Sequence, residues 1–124
     1  MSDSMEIFRE FNFEAAHRLP HVPEGHKCSR LHGHSYRFTI HVAGPVHENL
    51  GWVMDFGDIK KVVKPIVDDL DHYYLNDIAG LENPTSEVLA QWIWNRIQPN
   101  LPEITQVTVR ETCTSGCTYR GPRT

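Results

Sequence analysis

Between Met5 and His17, residues Phe11, Phe13, Ala15 and His17 fall on one parity and Asn12, Glu14 and Ala16 on the other. A period of two sends alternate side chains to opposite faces, so this stretch is expected to be a half-buried strand. The same period returns from His32 to Val42: His32, His34, Tyr36, Phe38, Ile40 and Val42 occupy the even positions, Ser35, Arg37, Thr39 and His41 the odd ones. This is a second strand with one apolar face. Between the two, RLPHVPEGHKCSRL (18–31) holds two Pro and one Gly without periodicity and reads as a loop, while Gly44, Pro45, Asn49 and Gly51 mark a turn region.

Beyond Asp55, a plausible N-cap, the period changes. Ile59, Val62, Val63, Ile66, Val67 and Leu70 recur at helical spacing, with Pro65 arguing for a kink or an early break. A second helix is expected to begin near Thr85, after Asn83 and Pro84, with Glu87 at the positive end of the dipole. Its buried stripe is Val88, Leu89, Trp92, Ile93 and Ile97, and Pro99 ends it. From Ile104 to Thr112, Val107 and Val109 lead to Glu111, a third strand carrying a carboxylate on its apolar face; residues 117–120 can form a short last strand.

The order strand, strand, helix, helix, strand, strand suggests an α+β fold, an antiparallel four-stranded sheet with two helices packed on one face. With 124 residues, no internal repeat and Pro and Gly scattered singly, residues 1–124 are expected to be one domain. The net charge of −4 implies no general attraction to nucleic acid or to anionic lipid, so an anionic ligand must meet a local basic patch. The acidic start MSDSMEIFREFNF lacks the character of a signal peptide, and no apolar run approaches the roughly 20 residues that span a bilayer, so a cytoplasmic location is expected. Three cysteines, Cys28, Cys113 and Cys117, cannot all pair within one chain.

Eight residues are His, and His17, His21, His26, His32 and His34 crowd into one short segment. His32 and His34, at i and i+2, share one strand face, and His17 ends the apolar face of the preceding strand. If those strands pair antiparallel, three imidazoles converge at one end of the sheet. Three His around zinc with a fourth position free is the pattern of a catalytic metal site. Cys28, in the covering loop, can be a fourth ligand, a small buried hydrophobe or a working thiol; Lys27 and Arg30 beside it favour the thiolate. Asp71-His72 directly follows the first helix, and an imidazole oriented by a carboxylate can serve a nucleophile or a proton transfer. Glu111 is structural if paired to Arg110 or a Lys, and otherwise suited to accept two parallel N–H donors of a heterocycle. Arg18, Lys27 and Arg30 are either scattered surface charge or a patch for a phosphorylated substrate. Cys113 and Cys117 lack zinc-knuckle spacing and are read as core or turn residues.

Five motifs in order, FEAAHRL around His17, Cys28-Ser29-Arg30-Leu31-His32-Gly33-His34, Leu70-Asp71-His72 with Leu75-Asn76, Asn83-Pro84-Thr85-Ser86-Glu87, and Glu111-Thr112, together resemble the 6-pyruvoyl-tetrahydropterin synthase family from about Phe11 to Tyr119. The short gap in C-x3-HGH is similar to that of its bacterial branch, the 6-carboxytetrahydropterin synthases of queuosine biosynthesis. The resemblance implies zinc on His17, His32 and His34, a catalytic Cys28 with Asp71 and His72, a pterin-anchoring Glu111, and a pterin pocket lined by Thr85 and Ser86. It also implies the tunnelling fold, in which small subunits join their sheets into a barrel, often a hexamer of two trimers with active sites between subunits. The implied substrate is 7,8-dihydroneopterin triphosphate. The implied products are 6-carboxy-5,6,7,8-tetrahydropterin, acetaldehyde and triphosphate, with the 6-pyruvoyl product or a non-catalytic zinc-stabilised pterin-binding module as the alternatives.

Overall fold

The computed structural model describes residues 3–111 and 114–123. Strand β1 (Ser4–His17) pairs antiparallel with β2 (His32–Pro45) over its whole length, Ser4 opposite Pro45 and His17 opposite His32. Strand β3 (Ile104–Arg110) pairs with β2 and β4 (Gly116–Tyr119) with β3, giving the sheet order β1-β2-β3-β4. The register steps between His41, opposite Gln106, and Val42, opposite Ile104, so Thr105 is an extra residue on β3 and its buried Oγ1 has no protein partner. Glu111 lies one residue past the end of β3, in a bend, and not on the strand face as its parity suggests. Cys113 lies outside the described residues.

Helix α1 (Phe56–Leu70) starts where Asp55 Oδ1 accepts from the Gly57 amide at 2.8 Å. Pro65 neither breaks it nor ends it early. Both Pro65 and Lys61, whose carbonyl the proline leaves without a donor, lie on the exposed face, where water can take the donor's place. Helix α2 (Ser86–Ile97) is capped by Thr85 Oγ1, which accepts from Val88 N at 3.1 Å. Ala90 and Trp94 are buried along with the expected stripe, because α2 packs against both β3 and β4 and Trp94 meets Tyr119 edge to face at 5.6 Å.

The helices bury Ile59, Val63, Ile66 and Leu70 of α1 and Leu89, Ile93 and Ile97 of α2 against one sheet face, formed by Phe13, Tyr36, Phe38, Ile40, Val107 and Val109. The opposite face is polar. Ser35 donates to Glu14 Oε1 at 2.7 Å, Thr108 meets Thr118 at 2.9 Å, and Arg110 approaches Glu10 at 3.7 Å. Among the described residues no helix is long and apolar enough to cross a membrane.

The chain after β4 turns back onto α2 at Gly121, whose φ of +92° is in the left-handed region and where an added Cβ would stand 2.6 Å from Trp94 Cζ2. Gly121→Ala is expected to lower stability by more than about 1 kcal/mol, because backbone strain and overlap with the indole act together. Urea denaturation of the two proteins checks this, and an unchanged midpoint would contradict it.

Candidate metal centre and proton relay

Full-length pairing of β1 with β2 puts His17 opposite His32 and Ala15 opposite His34 at the end of the sheet beyond the helices. One nitrogen from each of His17, His32 and His34 then lies within 4.8 Å of the others, and the thiol of Cys28 is not in that cluster. The rings meet edge to face, with centroids 4.6, 4.8 and 5.0 Å apart. His17 is 1% exposed, and His32 and His34 are half-buried.

The hydrogen bonds fix the tautomers. His17 Nδ1 lies 2.9 Å from the carbonyl of Pro84, and His32 Nδ1 lies 2.7 Å from that of Arg30. A carbonyl only accepts, so each Nδ1 carries the proton and donates it. Both Nε2 atoms therefore present lone pairs, and these face each other at 3.0 Å. Two acceptors held this close repel unless a cation lies between them, and carbonyl-anchored imidazoles are the usual outer support of metal-bound His. The donor set of three neutral imidazoles suits zinc and leaves a fourth position open. Desolvation also depresses the pKa of His17, outweighing the opposing effects of the Pro84 carbonyl and the Glu111 charge, and this keeps the ring neutral and able to ligate.

Asp71 caps the C-terminus of α1, and its carboxylate is divided between two tasks. Oδ1 accepts from the Glu14 amide of β1 at 2.9 Å, and Oδ2 lies 3.0 Å from His72 Nδ1. His72 adopts φ +64°, in the left-handed region that a bulky residue seldom enters, and its amide donates to the Glu14 carbonyl at 2.6 Å. The Ala16 amide donates to Tyr73 O at 3.2 Å, so residues 72–74 run along the outer edge of β1. The His72 ring is exposed, and among the described residues no hydrogen bond engages its Nε2. His72 lines a depression of about 470 Å³ together with His34, Glu14, Ser35, Tyr73 and Tyr74, so one imidazole of the cluster and the imidazole of the Asp-His pair share one recess.

The Glu14 amide, with help from His72, holds the Asp71 carboxyl below the usual aspartate range. A depressed folded value stabilises the fold above the unfolded pKa of about 3.9, and that contribution is lost as pH falls through the depressed value. Asp71→Asn is therefore expected to lower the denaturation midpoint at pH 6 and to converge with the parent near pH 2. A constant difference across that range would contradict the pairing.

The remaining candidates are spread around this centre. Cys28 is half-buried in a 3-10 turn (Lys27–Ser29), where its amide donates to His26 Nδ1 at 3.0 Å and its carbonyl accepts from Leu19 N at 2.7 Å. No hydrogen bond among the described residues joins its thiol to His72. Lys27, Arg30 and Arg18 are exposed, and Arg18 is held by its backbone, with Asn76 Oδ1 accepting its amide at 3.0 Å and Asn76 Nδ2 donating to its carbonyl at 2.9 Å. Thr85 spends its hydroxyl on the α2 cap, and Ser86 opens that helix. Glu111 is half-buried and close enough for its charge to act on His17, Tyr36 and Cys117, while Arg110, one candidate partner, turns to Glu10 instead.

Three contributors are not among the residues that the sequence singles out. Pro84 works through its carbonyl and Glu14 through its main chain, so side-chain type gives no signal for either. Tyr36 is fully buried, and its hydroxyl lies 3.0 Å from His17 Nδ1. Its parity with His32 and His34 was the available clue, since a buried phenol needs a polar partner.

The model of the 6-pyruvoyl tetrahydropterin synthase family matches residues 6–122. A Synechocystis protein named 6-carboxy-5,6,7,8-tetrahydropterin synthase is 50% identical over 123 residues, 94% of each chain. A Bacillus subtilis protein of the same name is 37% identical over 129 residues, covering 94% of this chain and 86% of that one. The 6-pyruvoyl tetrahydropterin synthase of Caenorhabditis elegans superposes with a TM-score of 0.90 at 26% identity, over 98% of both chains. With nearly its whole length matched in sequence and in fold, the chain belongs to the 6-pyruvoyl tetrahydropterin synthase family of enzymes.

Proposed function

We propose that the protein is a zinc-dependent lyase converting 7,8-dihydroneopterin triphosphate to 6-carboxy-5,6,7,8-tetrahydropterin, acetaldehyde and triphosphate, in queuosine biosynthesis. The observation that carries the metal is the pair of opposed Nε2 lone pairs on His17 and His32 at 3.0 Å, with His34 completing the set. The choice of product rests on the names of the relatives and on the C-x3-HGH gap.

Zinc on His17, His32 and His34 supplies Lewis acidity to the hydroxyls of the substrate side chain. Cys28, as thiolate, takes a proton from that side chain. His72 gives or takes a second proton through Nε2, while Asp71 holds its Nδ1–H and stabilises the ring when it becomes charged. Glu111 accepts two N–H donors of the pterin and so fixes where the side chain lies, and Thr85 and Ser86 line the ring's pocket. Arg18, Lys27 and Arg30 face the triphosphate.

Within one protomer no hydrogen bond among the described residues joins Cys28 to His72, which supports sites completed between subunits. The outer edge of β1 before Glu14 has no neighbouring strand among the described residues, and on the sheet face away from the helices Glu10, Asn12, Ser35 and Arg37 are exposed. Both features favour a homo-oligomer that joins sheets, a hexamer in this reading. Sedimentation velocity should show a species larger than the monomer, and a monomer at micromolar concentration would contradict shared sites.

The test of function is incubation of the zinc-loaded protein with 7,8-dihydroneopterin triphosphate, with products identified by mass and acetaldehyde assayed separately. Acetaldehyde with a 6-carboxy pterin supports the proposal. A 6-pyruvoyl product without acetaldehyde assigns the other activity, and tight pterin binding without conversion returns the protein to a binding role.

A further inference from the structure

Tyr36 has no part in the chemistry described above, yet it touches two of the three clustered imidazoles. It is fully buried on β2, two residues beyond His34. Its ring lies against His17 at 5.7 Å and His34 at 5.6 Å, near perpendicular to both, and stacks on Phe13 at 4.9 Å with an interplanar angle of 11°. Its hydroxyl oxygen is 3.0 Å from His17 Nδ1, and the Pro84 carbonyl is 2.9 Å from the same nitrogen.

The Nδ1 proton of His17 is committed, because the Pro84 carbonyl can only accept it. A protonated Nδ1 has no lone pair, so the Tyr36 oxygen also acts as an acceptor, and the one N–H is shared between two oxygens. Those oxygens come from different elements, the segment before α2 and strand β2. A single acceptor would let the imidazole swivel about the N–H axis, whereas two on separate elements fix its plane and hence the direction of the Nε2 lone pair. The Phe13 stack holds the phenol in place, and the face of its ring limits the movement of His34.

We propose that Tyr36 is a positioning residue of the metal centre, aiming His17 through its hydroxyl and bracing His34 through its ring, so that zinc affinity depends on an atom that never reaches the metal. This rests on the reading that the three His hold zinc. Removing an outer partner of a metal-bound His weakens binding by about 10- to 100-fold. Tyr36→Phe deletes one oxygen and keeps the ring, so the stack and the contact with His34 survive.

The test is competitive titration of the full chain against a chromophoric chelator, with parallel melting of the metal-free proteins. Tyr36→Phe, His32→Ala and the core control Phe38→Leu are compared with the parent. Phe38 is as deeply buried and packs beside the same Phe13 ring, but touches none of the three imidazoles. The expected result is zinc binding at least about 10-fold weaker in Tyr36→Phe, with metal-free melting close to the parent, and affinity kept in Phe38→Leu although it melts lower. Unchanged affinity in Tyr36→Phe would overturn the proposal while leaving the zinc reading intact. Equal weakening in Phe38→Leu would also overturn it, since general softening of the core would then explain the loss. Parent protein that binds no better than His32→Ala would remove the zinc reading itself and Tyr36's role with it.

Discussion

Cys28→Ala is expected to retain one zinc per chain and to lose about 10²- to 10⁴-fold in kcat, the span usual for removal of a positioned proton-transfer group. The bonds that shape its loop run through the backbone and His26: Leu19 N to Cys28 O, Cys28 N to His26 Nδ1, and Ser29 Oγ to the His26 carbonyl. None uses the thiol, so its deletion leaves the loop's bonds in place. The three imidazoles gather without it. Metal analysis and steady-state kinetics on one preparation decide the matter: loss of zinc along with activity would make Cys28 a ligand, and retained turnover would remove it from the reaction.

The second large effect is expected at His32. His32→Ala should bring zinc close to zero per chain and abolish product formation while leaving the circular dichroism of the parent. His32 is half-buried at the first position of β2, and its contacts are the Arg30 carbonyl and the rings of His17 and His34, so the core beneath the helices loses nothing. For the same reason, chelation of the parent should remove the ion and spare the fold, unlike a domain whose folding is coupled to its metal. An undiminished zinc stoichiometry in His32→Ala would refute the three-His centre. Unfolding on chelation would favour a structural ion.

Where the elements lie was largely legible, because strands and helices write their periods into the sequence whenever one face is buried. The alternation through Phe13 and Tyr36, the Asp55 cap, the helix start near Thr85 and the stripe from Leu89 to Ile97 all have their counterparts in the structure. Pro65 was misleading, since a proline's cost in a helix depends on whether water can reach the freed carbonyl, a property of the tertiary surface. Trp94 lies outside the single stripe that the helical period predicts, because a helix touched from several sides buries more than one stripe. Parity puts Glu111 on a strand that ends one residue before it, since β-propensity does not say where a partner strand stops.

For the site, residue types and spacing single out His17, His32 and His34, because i, i+2 on a strand and the end of a neighbouring strand can converge when the two strands pair antiparallel. What the sequence by itself determined is therefore this list of groups, with the elements that carry them. Only the tertiary structure decided that Ser4 pairs with Pro45, which sets His17 opposite His32, that both Nδ1 protons are spent on carbonyls, that Asp71 is tied to β1 through the Glu14 amide, and that Tyr36 reaches His17. The physical reason is that hydrophobic period is a local property of the chain. Register, tautomer and ring orientation are instead set by partners between 2 and 67 positions away, many of them main-chain atoms that every residue possesses alike.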